Sequence, residues 1–320
     1  MLRKTRIALL TSLAVLCLAH TGCSATGGDS LPDEDESGRT EGGVSARTTV
    51  LWIHGRWTDG DGPGVVGRYD DFVYWGPAGV DAGANKKAVN WGGEDRLSLS
   101  NLHVRRALDC FCTGENWCVI AAHSAGDAQI GYALSLHGGT QRPVTTGVPD
   151  ASGRCDGTGE TQTGWNIEWI SVAGGAAGGS ELADIGEWAV SDTVTGDLRT
   201  DTARALYDHN ATQGVWVYRF AGANGTLYSG LLPGQDDEVV AYHSSGGMSM
   251  AGSFCNPGDW FCGDELPMDT AASPKREIPR WDHHTLYLRD DGEHYGHFAK
   301  ENWGGIVAPM REDVVAYASQ

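Results

Sequence analysis

Positive charge is scarce in this chain of 320 residues. Its 23 lysines and arginines face 42 aspartates and glutamates, a formal net charge of −19. That balance argues against nucleic acid or an anionic membrane surface as partner; its simplest role is to keep the protein soluble and self-repelling. Long apolar runs are missing too. The most apolar stretch, Ile7 to Ala19, is broken by Thr11 and Ser12 and falls short of the ~20 residues that a spanning helix needs. No segment repeats at a spacing of roughly 20–50 residues, which excludes solenoids and propellers. No glycine cluster has the spacing of a dinucleotide fingerprint or a phosphate loop. The Asp59-Gly-Asp-Gly62 run lacks the distal glutamate of a calcium loop, and Cys110, Cys112 and Cys118 lack a second ligand pair at zinc spacing. The reading is therefore one without metal or organic cofactor.

What is present divides into three parts. In residues 1–22, Arg3, Lys4 and Arg6 precede the short apolar run, the pattern of a signal peptide. Thr21-Gly22-Cys23-Ser24 then resembles the lipobox of bacterial lipoproteins, which implies lipidation at Cys23. His20 stands where that motif usually has Leu, so ordinary cleavage to a free secreted protein stays open beside it. Residues 23–46 are rich in Gly, Ser, Asp and Glu with little to pack, and read as a tether. Residues 47–320 suffice for one large core and one domain. The expected location is the bacterial cell envelope or the exterior, with the lipid as the membrane attachment. Beyond Cys17 and Cys23, six cysteines remain in an oxidising compartment: Cys110, Cys112, Cys118, Cys155, Cys255 and Cys262. They predict up to three disulfides. Cys255–Cys262, closing a short Asn-Pro-Gly-Asp-Trp-Phe loop, is the pairing singled out, and the other pairings stay open.

Hydrophobic patterning predicts strands at 48–53, 87–91, 117–122, 167–173, 215–220 and 285–288. Helices are expected at 100–111, 125–136 and 309–317, with two short ones within 180–210. The first of these rests on a stripe of Leu102, Ala107, Leu108 and Phe111. Residues 56–86 and 138–163 read as Gly-rich irregular segments; the latter, with 185–214, would cover a pocket. Strands alternating with helices imply a parallel sheet covered on both faces.

Four segments carry chemistry. Ala122-His123-Ser124-Ala125-Gly126 lies between an apolar strand and a helix, and small residues two before and two after Ser124 permit a sharp turn. His54-Gly55-Arg56-Trp57 follows the first strand directly. Gly178-Gly-Ser-Glu-Leu-Ala-Asp184 follows the fourth, where Ser180 would also serve as a helix cap. Gln235-Asp-Asp-Glu238, an acidic turn, precedes Val239 and Val240.

In this order the segments resemble the α/β-hydrolase superfamily, and bacterial lipases and esterases in particular. The resemblance implies an α/β-hydrolase fold with a minimal, mostly parallel sheet of about six strands. It implies Ser124 as nucleophile, Asp237 as the acid that orients the base, and the backbone N–H groups of Arg56 and Ala125 as the oxyanion hole. Asp236 stands where the family has Asn, and the Pro-His that usually precedes Gly-Ser-x-x-Ala-Asp is absent. The base must follow the last strand, where His283, His284, His294 and His297 lie. His283 and His284 fall at the wrong end of that strand. Gly296-His297-Phe298, with Glu301 beyond, resembles the family's Gly-His-Phe segment and places His297 first; His294 fits the lipase pattern as the alternative. The implied activity is hydrolysis of small-molecule or lipid esters through an acyl-enzyme. The alternatives are a non-catalytic binding protein on the same fold, and an amidase or acyltransferase using the same triad.

Overall fold

In this computed structural model the described residues are 48–57, 65–76, 79, 85–186, 192–222, 225, 228, 231–232, 236–247, 281–289, 296–297 and 305–318. Strand β1 (Thr48–Ile53) is a run of β-branched and aromatic residues without charge, and nearly all of it is buried. Strands β3 (Trp117–His123) and β6 (Ile167–Ala173) are also mostly apolar, Glu168 apart, and are buried from Cys118 onward and over most of their length. With β2 (Lys86–Val89), β7 (Trp216–Gly222) and β8 (His284–Arg289) they form a six-stranded sheet in the order β2-β1-β3-β6-β7-β8. Each neighbouring pair is parallel.

Alternation along β1 sends residues to two cores. Leu51 and Ile53 join Val104 and Leu108 of α1 (Leu97–Phe111) and Ile130 and Leu134 of α2 (Ala125–His137). Val50 and Trp52 join Val307, Met310 and Val314 of α7 (Val307–Ala318) on the other face. The result is the expected parallel sheet of six strands between helices. Leu102 departs from the expected stripe: it is 39% exposed, and Leu97 and Val104 take the buried positions.

The winding direction reverses at β1, which has β2 on one side and β3 on the other. In open parallel sheets the crevice beyond the strand ends at such a reversal is the natural ligand site. Ser124 follows β3 there, and His54 follows β1.

Two segments depart from expectation. Three short helices, not two, lie after β6: α3 (Glu181–Gly186), α4 (Val194–Asp197) and α5 (Thr200–Ala205). Residues 141–163 are not irregular but an antiparallel hairpin of β4 (Gln141–Pro149) and β5 (Cys155–Thr163). This hairpin docks on the end of α1. Arg142 binds Asp109 at 2.6 Å, Thr145 Oγ1 donates to the Asp109 carbonyl at 2.8 Å, and Cys110 is joined to Cys155. A second disulfide, Cys112–Cys118, ties the end of α1 to the start of β3. All of these contacts lie at the amino ends of the strands, away from Ser124. The expected Cys255–Cys262 pair and Cys23 lie outside the described residues.

Candidate active site

The turn after β3 leaves a single residue, Ser124, between strand and helix. It adopts φ 56° and ψ −125°, a left-handed conformation that costs a non-glycine residue on the order of 1–3 kcal/mol. Its neighbours hold it there. The Ser124 N–H donates to the Ala173 carbonyl of β6, and its carbonyl accepts from the N–H groups of Asp127 and Ala176, each at 3.1 Å. Gly126 explains the small residue two positions on: a Cβ there would run into the carbonyl oxygens of Ile53 and His54, so only glycine lets α2 dock on β1. The Ser124 hydroxyl does not cap the helix it begins. Gly55 packs against it, since a Cβ on Gly55 would lie 3.0 Å from Ser124 Oγ.

The loop after β1 is clamped by His54. Its Nδ1 donates to the Gly55 carbonyl at 2.7 Å, and its Nε2 accepts from the Trp91 N–H at 3.2 Å, which defines one neutral tautomer. The ring stacks on Trp91 with centroids 5.1 Å apart. Burial pushes the His54 imidazole down to about 4, against the upward pull of its two backbone hydrogen bonds. Because a trans peptide points its C=O and N–H in opposite directions, fixing the Gly55 carbonyl also fixes the Arg56 N–H. The Arg56 guanidinium is anchored as well: Nε donates to Asp192 Oδ2 at 2.7 Å and Nη2 reaches the same oxygen. Asp192 Oδ1 in turn accepts from Thr195 N–H and hydroxyl at 2.9 and 2.6 Å, starting α4.

Asp237 is 1% exposed, and both its oxygens are used. Oδ1 accepts from the N–H groups of Val239 and Val240 at 3.0 and 2.8 Å; Oδ2 accepts from His297 Nδ1 at 2.8 Å. Since a carboxylate only accepts, the proton of neutral His297 sits on Nδ1 and leaves Nε2 with its lone pair. The His297 N–H also donates to the Asp237 carbonyl at 2.6 Å. Gly174, just past β6, lies against the pair: a Cβ there would sit 2.5 Å from Asp237 Oδ2 and 2.9 Å from His297 Nδ1. Neighbouring Asp236 is also buried, and its carboxyl is pushed up to about 6 by desolvation, with Asp237 and Glu238 adding to the shift.

The structure thus joins two of the expected residues, Asp237 and His297, directly. Ser124 lies beside them through its neighbour: the His123 ring is 4.5 Å from the His297 ring. Among the described residues no hydrogen bond joins Ser124 Oγ to His297. Catalytic hydrogen bonds are often loose until substrate arrives, so proximity of the elements is the informative fact. Ala125 follows Ser124 at the start of α2, and Arg56 follows Gly55, which packs against Ser124. His294 lies outside the described residues. His284 begins β8, at the other end of the sheet, as the sequence indicated.

Further support for the site comes from contacts that sequence patterns left unmarked. Ser180 does cap α3, its oxygen accepting from Leu182 N–H at 3.2 Å, but its hydroxyl also donates to the Val239 carbonyl of the acid loop at 2.5 Å. Behind that loop, His243 and Ser244 of α6 (Tyr242–Ser245) both bond to Glu181, at 3.0 and 2.6 Å. A buried ion pair, Asp127–Arg219, ties α2 to β7. Apart from the Ser180 cap, none of these contacts has a local sequence signature, because each partner arrives from a distant part of the chain.

No protein-family model matches the chain, and no curated protein sequence does. Among solved structures it is similar to lipases and esterases of bacteria. The mature Bacillus licheniformis lipase BlEst2 is 13% identical with a TM-score of 0.42, over 64% of this chain and 82% of that one. Of that lipase's propeptide form, the chain covers 45%. EstA from Clostridium botulinum is 13% identical with a TM-score of 0.47, over 88% of this chain and 89% of that one. Lipase 1 from Pelosinus fermentans is 14% identical with a TM-score of 0.46, over 86% and 99%.

Proposed function

We propose that the protein hydrolyses carboxylic esters through an acyl-enzyme, with Ser124 as nucleophile, His297 as general base and Asp237 as its orienting acid. The observation that carries this reading is the buried Asp237–His297 hydrogen bond beside a serine held at positive φ between strand and helix. Such strain persists only where the surroundings enforce it, and it recurs at reactive positions.

The cycle follows from the proton positions. His297 Nε2 takes the Ser124 proton as Oγ attacks the ester carbonyl, and Asp237 stabilises the imidazolium that forms. The negative charge on the carbonyl oxygen is met by the Arg56 and Ala125 N–H groups; one such donor typically contributes about 3–4 kcal/mol. His297 then protonates the leaving alcohol. Water, deprotonated by the same imidazole, attacks the acyl-enzyme and releases the acid. Rigid backbone around Gly55 lets these donors act without reorganising.

A fluorophosphonate probe tests the reading. Covalent labelling of the wild type that vanishes in Ser124→Ala supports it; an unlabelled wild type that also turns over no p-nitrophenyl ester overturns it. Running acetate to palmitate esters against peptide substrates separates an esterase or lipase from an amidase.

A further inference from the structure

His123, directly before the nucleophile, is fully buried and has no part in the cycle above, yet both of its nitrogens are engaged. Nε2 lies 2.8 Å from the backbone carbonyl oxygen of His297. A carbonyl only accepts, so Nε2 carries the proton. Nδ1 lies 2.5 Å from Tyr74 Oη. A neutral ring has one proton, already placed, so Nδ1 accepts and the Tyr74 hydroxyl donates. Tyr74 Oη also packs on Gly55 of the oxyanion loop, where a Cβ would lie 2.8 Å from it. Burial first, then the nearby His297, holds the His123 imidazole well below its ordinary range, and burial raises the Tyr74 phenol. Neither group changes protonation near neutrality.

We propose that Tyr74 and His123 are positioning residues, a one-way hydrogen-bond relay that locks the His297 backbone in register with the oxyanion loop. The relay runs from Tyr74 O–H to His123 Nδ1 and from His123 Nε2–H to the His297 carbonyl, with Tyr74 packed on Gly55. The His297 peptide groups are thereby held from both sides: its N–H by the Asp237 carbonyl, its C=O by His123. Hydrogen bonds aligned in one direction polarise and reinforce one another in a buried setting. The base arrives on a segment beyond the last strand, which no sheet ladder fixes at 297. A relay through the nucleophile's own neighbour supplies that constraint, and it joins the base to the tyrosine packed on Gly55, next to the peptide assigned to the developing charge. This inference rests on the reading of Ser124 and His297 as the acyl-transfer pair.

A purely space-filling role is the alternative, since His123 also sits against Tyr74 and Trp75, with ring centroids 5.6 and 6.1 Å away. Three variants separate the two. His123→Phe keeps the bulk and removes both polar links. His123→Gln keeps an N–H near the position of Nε2. Tyr74→Phe deletes one hydroxyl. If the relay operates, His123→Phe lowers kcat on a p-nitrophenyl ester about a hundredfold with KM within about twofold, the scale expected when a reacting group moves by about 1 Å. On the same scale Tyr74→Phe loses about tenfold, and His123→Gln recovers to within about threefold of wild type. The proposal is overturned if His123→Phe keeps wild-type kcat, or if His123→Gln is as impaired as His123→Phe. Nitrogen NMR of 15N-histidine-labelled protein gives a readout independent of turnover. The expected result is a neutral His123 protonated on Nε2, whose Nδ1 resonance shifts in Tyr74→Phe. A proton on Nδ1 sinks the relay even in a fully active enzyme. An unlabelled, inactive wild type with the expected tautomer overturns the hydrolase reading and the positioning role, while the hydrogen-bond chain itself stands.

Discussion

The two ends of the sheet are built by different means. At the amino ends of the strands the chain relies on covalent and surface devices: Cys110–Cys155, Cys112–Cys118, and a hairpin whose β5 is exposed along most of its length. At the carboxyl ends it relies on buried polar groups, each assigned to a specific partner. There Ser124 stands at positive φ, His54 and His123 are kept neutral inside the core, and Asp236 and Asp237 lie side by side out of solvent. One end gains stability by restricting the unfolded chain; the other gives some up to hold the groups proposed to react. The difference teaches where a change should alter turnover and where it should alter only stability.

The sharpest way to break that contrast is at Ser124. Ser124→Ala should lower kcat by roughly four to six orders of magnitude, leaving only what binding and the oxyanion donors provide. Ser124→Gly should abolish turnover likewise while raising stability by about 1 kcal/mol or more, because glycine adopts positive φ without strain. A denaturant midpoint no higher than wild type would mean that the turn carries no strain.

The opposite end answers next. Replacing Cys110 and Cys155 together by Ser opens a closure spanning 45 positions; the chain-entropy model gives a loss of about 4 kcal/mol. Turnover at 25 °C should stay within twofold, roughly, because the bridge lies away from the site. A large loss of kcat in protein that remains folded would contradict the separation of the two ends.

The third test is pH. His54 has a folded pKa of about 4, below the 6.5 of the free side chain. The unfolded chain therefore takes up a proton that the folded one refuses. The stability due to this group is complete above pH 6.5 and is lost as pH falls towards 4, by about 3 kcal/mol at 1.36 kcal/mol per unit. Urea titrations of wild type and His54→Gln across this range measure it, the variant losing less on acidification. Asp236 gives the smallest effect, with the reverse sign. Its raised pKa of about 6 means that stability present at acid pH is lost as pH rises from 4 through 6. Asp236→Asn should therefore raise Tm more at pH 8 than at pH 5, by on the order of 2 kcal/mol in stability. An equal gain at both values would show that the carboxyl is not perturbed.

The readability of the two ends also differs. β1 and β6 have the limits expected from their apolar runs, because strands buried on both faces leave a continuous record. The turn at Ser124 was legible for a related reason: its requirement for small neighbours is local. β5 left no record, since Cys-Asp-Gly-Thr-Gly-Glu-Thr-Gln-Thr faces solvent and its placement depends on a disulfide and on Arg142. The start of α1 at Leu97 rather than at position 100 has a non-local cause: its first N–H donates to Asp197 Oδ2 at 2.8 Å, from far along the chain. Within the site, Asp237 could be read from Val239 and Val240, whose N–H groups its carboxylate accepts. Tyr74 could not, because nothing in a Gly- and Asp-rich loop marks a tyrosine that bonds to His123.

The grip of Asp192 on Arg56 carries a consequence for how this scaffold can change. The same residue offers a peptide N–H to the proposed reaction and a guanidinium to the start of α4. Surface connections are ordinarily the freest part of a domain to vary, and new substrate preferences arise there. Here, grafting a foreign segment in place of residues 192–199 would release the Arg56 side chain, whose residue follows the glycine packed on Ser124. A swap there would thus be felt as a slower reaction, unless the incoming segment restores a carboxylate at that point.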